Sequence, residues 1–387
     1  MESVFTAKEY CCGCTACENI CPKKAISMNT DETGFWYPQI DSQKCVDCGL
    51  CKKVCQFGKK EIEDASNDIN CYALKHKDIS VIKHSRSAGA FTALTDFVIA
   101  NGGVVYGAVL DADMIVRHQR AENIEQRNRF RESKYVQSNL DGTFKAVLND
   151  LKDGKTVLFS GTGCQCDGLR AFLSAKKIDT TNLLLVDIVC HGVPSPKMFA
   201  EYIKWNEKKH KSSLTGFKFR DKDKYTWGEG IEKLTFLNGE IAYQDYFTGY
   251  IFSNFVRSSC YECKYTTPYR NSDITLADFW GSEKSCPEFT DYKNGCSLVL
   301  LHSPKGKNIF NQIKDSIVTK EISVNDCLQP RLKTPREKGN EVFLWKEYCK
   351  NGFLFIMERY ATNSLTLKNR INKKVKSVIS KIIRSIK

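Results

Sequence analysis

Apolar residues recur along this chain in two rhythms, and the change of rhythm divides it. Between positions 71 and 189, compact apolar runs alternate with stretches whose apolar positions fall three and four residues apart. The runs 71–74, 103–110, 156–160 and 183–189 predict buried strands, with Asp187 the one charged interruption in the last. Phe91, Leu94, Phe97 and Val98 stand at helical spacing and predict a helix fed by a Ser/Gly-rich turn. Residues 144–151 and 168–175 also read as helices, the first ending near Gly154. Such alternation predicts a mixed α/β core. Later runs at 214–219, 233–236, 274–279 and 297–301 are strand-like, and 343–360 reads as a closing helical region. Ahead of this core, residues 26–38 predict a hairpin turned by Asp31, Glu32 and Gly34, and the polar stretch 59–70 a linker. At the far end, Ile371, Val375, Val378, Ile379, Ile382, Ile383 and Ile386 recur among lysines, the pattern of a basic amphipathic helix.

Composition bounds the class. The 387 residues allow two or three domains, and 42% hydrophobic with 27% charged residues is ordinary for a globular protein. No stretch reads as a signal peptide or as a membrane span, so the expected compartment is a reducing cytosol. The net charge of +13 is unevenly placed, since Lys368, Arg370, Lys373, Lys374, Lys376, Lys381, Arg384 and Lys387 carry eight of it with no acid between them. That tail suits an anionic membrane surface, which would put the protein at the inner face of the membrane, or an acidic partner, or docking on its own domain. It lacks the interleaved aromatics of a single-strand nucleic-acid binder, and no nucleic acid is expected.

Nineteen cysteines change the picture most. Cys11, Cys14, Cys17 and Cys21 follow the spacing C-x2-C-x2-C-x3-C, and Cys45, Cys48, Cys51 and Cys55 repeat it. Zinc sites favour two separated pairs; two runs of four are the spacing of a two-cluster bacterial ferredoxin, in which the fourth cysteine of each run serves the other cluster. The expectation is one [4Fe–4S] cluster on Cys11, Cys14, Cys17 and Cys55, and a second on Cys45, Cys48, Cys51 and Cys21. Pro22 follows the first run, whereas Gln56 follows the second.

In the core, four features carry chemistry. Ser85, Ser87, Gly89 and Ala90 precede a helix and suit an anion at its N-terminus; taken alone, a plain cap by Ser87 explains them better. Cys164 follows a buried strand in a Gly-rich turn that is neither a P-loop nor a dinucleotide fingerprint. Cys190 follows the next strand, beside His191, Gly192 and Pro194. Cys260 and Cys263 form a CxxC pair. These four thiols from three loops match the number that closes a cubane; a redox dithiol or buried filler are the alternatives. Cys12, Cys71, Cys286, Cys296, Cys327 and Cys349 read as small hydrophobes.

Six blocks in order carry a resemblance: residues 85–91, Ser133-Lys134-Tyr135-Val136-Gln137-Ser138, the stretch 158–165, the stretch 187–196, the CxxC at 260–263, and the stretch 273–281. Over about 71–360 the chain resembles the coenzyme F420 hydrogenase/dehydrogenase beta-subunit family, with the ferredoxin module of its longer members in front. The resemblance implies a ferredoxin-like domain at 1–60, a linker at 61–70, a mixed α/β FAD-binding domain at 71–362 and a basic tail at 363–387. It implies an oxidoreductase passing electrons between [4Fe–4S] clusters and a two-electron substrate, F420-like or another small organic molecule, through FAD. The alternative is a non-catalytic relay subunit feeding a partner enzyme. FAD contacts are carried over to Ser85, Ser87, Gly89, Ala90, Ser133, Lys134, Tyr135, Val136 and Gln137, and a third [4Fe–4S] cluster to Cys164, Cys190, Cys260 and Cys263. His191 is the candidate proton donor, and Lys134, with Arg86, the candidate to steady a phosphate or reduced flavin. An electron-donor protein or a hydrogenase/dehydrogenase-type subunit is the expected partner.

Overall fold

The structure is a computed structural model, and it describes residues 3–57, 62 and 68–362. Most of the expected linker and all of the basic tail therefore lie outside the described residues.

The N-terminal module holds a two-stranded antiparallel hairpin, β1 (Ile26–Thr30) and β2 (Trp36–Ile40), as the Gly34 turn predicts. The core is built on an eight-stranded sheet. Its strands are β3 (Asn70–His76), β4 (Val104–Leu110), β5 (Val116–Ala121), β6 (Val157–Thr162), β7 (Leu183–Ile188), β11 (Ile274–Asp278), β12 (Ser297–Leu301) and β13 (Ile317–Ile322), in the order β13-β3-β12-β11-β7-β6-β4-β5. The four central strands β11, β7, β6 and β4 run parallel, and the flanking pairs are antiparallel. A separate three-stranded antiparallel sheet joins β8 (Leu214–Lys218), β9 (Glu232–Phe236) and β10 (Ile241–Gln244).

Side-chain alternation divides the core between the two faces of the large sheet. Leu158, Leu184 and Val186 pack one way, against the helix Ala90–Ala100. Val157, Phe159, Leu183 and Leu185 pack the other way, against the helices Thr143–Lys152 and Gly163–Ala175. Ala16, Ile20 and Val54 of the N-terminal module join this second cluster, so the module shares a core with the sheet. The small sheet packs under the helix Pro196–His210 and the closing helix Glu341–Ile356, which is interrupted at Gly352.

Several expectations need correction. The helix of the Ser/Gly-rich turn is not capped by Ser87: it starts after Gly89, whose φ of +93° turns the chain, and Ser87 Oγ instead meets Ser297 Oγ at 2.9 Å. The helix expected from 168 begins at Gly163, because Thr162 and Gln165 form a capping box directly after β6. Strands β5 and β13 escape the periodicity argument: four of six positions in the first and three of six in the second are charged or polar, as antiparallel strands toward a sheet edge allow.

Gly168 is one of the places where module and core meet closely. A Cβ there would stand 2.7 Å from Cys14 Sγ and 2.8 Å from its Cβ. Gly168→Val is expected to lower stability by about 1–3 kcal/mol by forcing the helix Ala16–Ile20 away; an unchanged midpoint in urea denaturation would argue against this contact.

Candidate functional site

The parallel register of β6 and β7 builds the first part of the site. Thr162 pairs with Ile188, so Cys164 and Cys190, each two residues further on, emerge at the same level. Cys164 stands on the first turn of the helix Gly163–Ala175. Cys260 lies in the short 3-10 turn Ser258–Glu262, and Cys263 ends it. All four thiols line one cavity, together with Cys12, Gly163, Gly192 and Tyr265. They are electrostatic neighbours: Cys260 feels Cys190, Cys263 and Cys164. Burial pushes the Cys190 thiol up to about 11 and Cys263 up to about 12, and holds Cys260 well above the usual thiol range. The backbone N–H of Gly192 (φ +106°) donates to Cys190 Sγ at 3.4 Å. Four arginines, Arg257, Arg270, Arg331 and Arg336, also reach the cavity, and Arg270 makes a buried ion pair with Asp187 at 3.1 Å. Among the described residues no three Cys, His, Asp or Glu side chains converge to hold a single ion. A cubane asks for a different arrangement, with four thiolates on four separate irons.

The N-terminal module brings its cysteines together in two sets. The thiol of Cys17 has Cys14, Cys11 and Cys55 as neighbours, while Cys21, Cys45, Cys48 and Cys51 line a second small cavity. The two loops turn alike. Gly13 and Asp47, and then Thr15 and Gly49, hold matching places between the cysteines and all have positive φ. Their surroundings differ sharply. A Cβ on Gly13 would meet Gln137 Nε2 at 2.7 Å, so the first loop is pressed on the core. In the second loop Cys48 is exposed, and Val46 is 58% exposed where its counterpart Cys12 is 9%. Cys12 is thus more than filler: its thiol lies between Cys14 and Cys164 and holds both down by hydrogen bonding. Cys71, Cys286, Cys296 and Cys327 are buried in the core, and Cys349 is exposed.

A larger cleft of about 290 Å³ opens beside the thiol cavity at the carboxyl ends of the parallel strands. Ser85, Ser87, Gly89, Ala90, Ser133, Lys134, Tyr135 and Val136 all line it; Gln137 turns instead to the thiol cavity, where its amide donates to the carbonyl of Cys12 at 3.2 Å. The two spaces share a wall: Thr162, Gln165 and the run Cys190, His191, Gly192 and Val193 line both. His191 packs on Trp280, and burial, with Arg331 and Arg336 nearby, pushes its imidazole down to about 4. Lys134 Nζ donates to the carbonyls of Arg129, Arg131 and Glu132, and burial pushes it down to about 7. Arg86 is committed to Asp278 at 2.8 Å, Tyr135 Oη and the carbonyl of Trp227.

The sequence gives no signal for the other polar groups here. Lys222, buried, donates to the carbonyls of Ile82, Ser85, Ser87 and Asn294 at 2.8–3.2 Å and so ties down the Ser/Gly-rich loop. Thr92 Oγ1, His118 Nδ1, Arg131 Nε and Arg220 Nε belong to residues lining the cleft and are buried without a partner. Each lies outside the six blocks, and only the fold carries it to the cleft.

Two four-cysteine loops at ferredoxin spacing, packed on an α/β core, define an iron–sulfur redox protein. Residues 10–59 match the 4Fe-4S dicluster domain, and residues 154–326 match the family described as the C terminus of the coenzyme F420 hydrogenase/dehydrogenase beta subunit. Residues 154–326 thus carry the C-terminal region of that beta-subunit family behind a dicluster domain, and the chain is an oxidoreductase. Among solved structures, it is similar to a chain of the F420-reducing [NiFe] hydrogenase complex from Methanosarcina barkeri, at 16% identity over 73% of this chain and 88% of that one, with a TM-score of 0.47. No curated protein matches it. Among the described residues no helix is long and apolar enough to cross a membrane.

Burial pushes the His118 imidazole down to about 4, against an ordinary 6.5. Between those values the unfolded chain takes up a proton that the folded one refuses, so stability falls as pH falls. The contribution lost between neutral pH and pH 5 is about 2 kcal/mol. His118→Phe is expected to lose less stability than the unaltered protein on going from pH 7 to pH 5, as urea denaturation reads it; equal losses would refute the assignment.

Proposed function

We propose that this chain passes electrons between its [4Fe–4S] clusters and a small two-electron substrate through FAD held in the cleft. The wall shared by the thiol cavity and the cleft is the observation that carries this reading. In this reading Cys45, Cys48, Cys51 and Cys21 hold an outer cluster. Cys11, Cys14, Cys17 and Cys55 hold an inner one, and Cys164, Cys190, Cys260 and Cys263 a third at the back of the cleft. Four half-buried thiols with no carboxylate among them suit iron–sulfur, and arginines around them offset the thiolate charge. Metal loading must displace protons from thiols that burial keeps protonated.

The cleft suits an anionic ring ligand, because its unpartnered Arg131 and Arg220 nitrogens are donors and His118 Nδ1 is a further polar site. Ser85, Ser87, Gly89, Ala90, Ser133, Tyr135 and Val136 would hold FAD, with Lys134 and Lys222 keeping the two contact loops in shape. Bound there, FAD would supply the exchange between one-electron clusters and a two-electron substrate. His191, the candidate proton donor, stands at the shared wall; burial leaves it neutral near pH 7, so it would have to take up a proton before giving one to the cleft side. The exposed Cys48 edge favours a donor protein or partner subunit delivering electrons to the outer cluster. The same edge supports the second reading, a relay subunit whose turnover needs that partner.

Protein purified without oxygen is expected to carry FAD and about twelve irons per chain, three cubanes' worth. Cys260→Ala should bring the iron to about eight. Eight irons in the unaltered chain would remove the third cluster, and absence of flavin would sink the proposal. Anaerobic reduction of the bound flavin by a deazaflavin or a nicotinamide, followed spectrally, then selects the substrate class; no turnover with either until a second subunit is added would favour the relay.

A further inference from the structure

The two cysteine loops of the N-terminal module are near-copies in sequence and in backbone turns, yet one charge separates them. Arg257, fully buried, follows Val256, which bridges to Pro194 just beyond the Cys190 loop. Its side chain crosses from the core into the module. Nε donates to the carbonyl of Cys11 at 2.7 Å, and one terminal nitrogen donates to the carbonyl of Trp36 at 3.0 Å and approaches Cys11 Sγ at 3.6 Å. The other terminal nitrogen meets Gln137 Oε1 at 3.3 Å. The guanidinium lies over the Tyr37 ring at 4.0 Å. Around the Cys45 loop the cations, Lys23, Lys24, Lys44, Lys52 and Lys53, are all exposed.

We propose that Arg257 is a positioning residue for electron transfer: it fixes the Cys11 loop on the core and raises the reduction potential of the inner cluster above that of the outer one. This rests on the assignment of Cys11, Cys14, Cys17 and Cys55 to the inner cluster. The physical reason is charge. Reduction adds one electron to a cluster, and a fixed positive charge beside it, with an N–H aimed at a ligand sulfur, stabilises the reduced form. An arginine keeps its charge at any working pH, and burial leaves that charge weakly screened. The exposed lysines of the outer loop are screened by solvent and do far less. Electrons arriving at the outer cluster are thereby drawn to the inner one, next to the thiol cavity.

The test is a potentiometric titration of the anaerobically prepared holoprotein, followed by electron paramagnetic resonance, for the unaltered chain, Arg257→Gln, Arg257→Lys and Gln137→Glu. Cys14→Ser marks the inner cluster's signal. Arg257→Gln should move that signal alone to a more negative potential, and Arg257→Lys should restore part of the shift. Gln137→Glu keeps the arginine but sets a carboxylate against it, and should move the same signal in the same direction; it serves where Arg257→Gln fails to load its clusters. An inner signal unmoved in the Gln and Glu variants, or all cluster signals moving together, would overturn the proposal. Fewer than eight irons in the unaltered chain would instead overturn the cluster assignment beneath it.

Discussion

The site depends on the register of two parallel strands. Because β6 and β7 end level, with Thr162 opposite Ile188, their next residues turn outward together and set Cys164 beside Cys190. A slip of one residue would turn one thiol to the other face of the sheet. The register is held by the alternation of Leu158, Phe159, Leu184 and Leu185 between the two sides of the core. Ordinary hydrophobic packing thus aligns the chemistry. The open βα ends of an α/β sheet are where ligands generally bind, and both the thiol cavity and the cleft lie there.

Around that edge the protein manages buried charge by pairing it. Arg270 is matched by Asp187, Arg86 by Asp278, and Lys222 by four carbonyls. Arg257 has carbonyl and ring partners but no carboxylate among its contacts, so its net charge stays beside the Cys11 loop. Burial acts on the thiols in the opposite sense and keeps them protonated until something displaces the proton. The same low-dielectric setting therefore disfavours free thiolates and makes one nearby guanidinium count.

The module and the core are not independent beads. Ala16, Ile20 and Val54 enter the cluster that also holds Leu169 and Phe172, and Gly168 lets Cys14 approach the helix backbone. That intimacy breaks the internal symmetry of the module. One loop is walled in by Gln137, Arg257 and Trp36, and its twin faces outward. Two similar halves in one chain become an inside and an outside.

The chain's own pattern determined the local features. Cysteine spacing placed the two loops of the module, since thiols so close along the chain are brought together by the loop itself. Apolar runs located the strands of the parallel core, whose burial on both faces leaves a continuous signal. Periodicity said nothing about β5 and β13, where one side is polar, and it misread Ser87, whose partner Ser297 is 210 residues away. Count and family resemblance grouped Cys164, Cys190, Cys260 and Cys263, but their convergence on one cavity, the wall shared by two cavities, and the placing of Lys222, Arg220 and Arg257 were decided by tertiary structure. Each is a contact between distant segments, set by strand order and packing, and no local rule of the sequence encodes it.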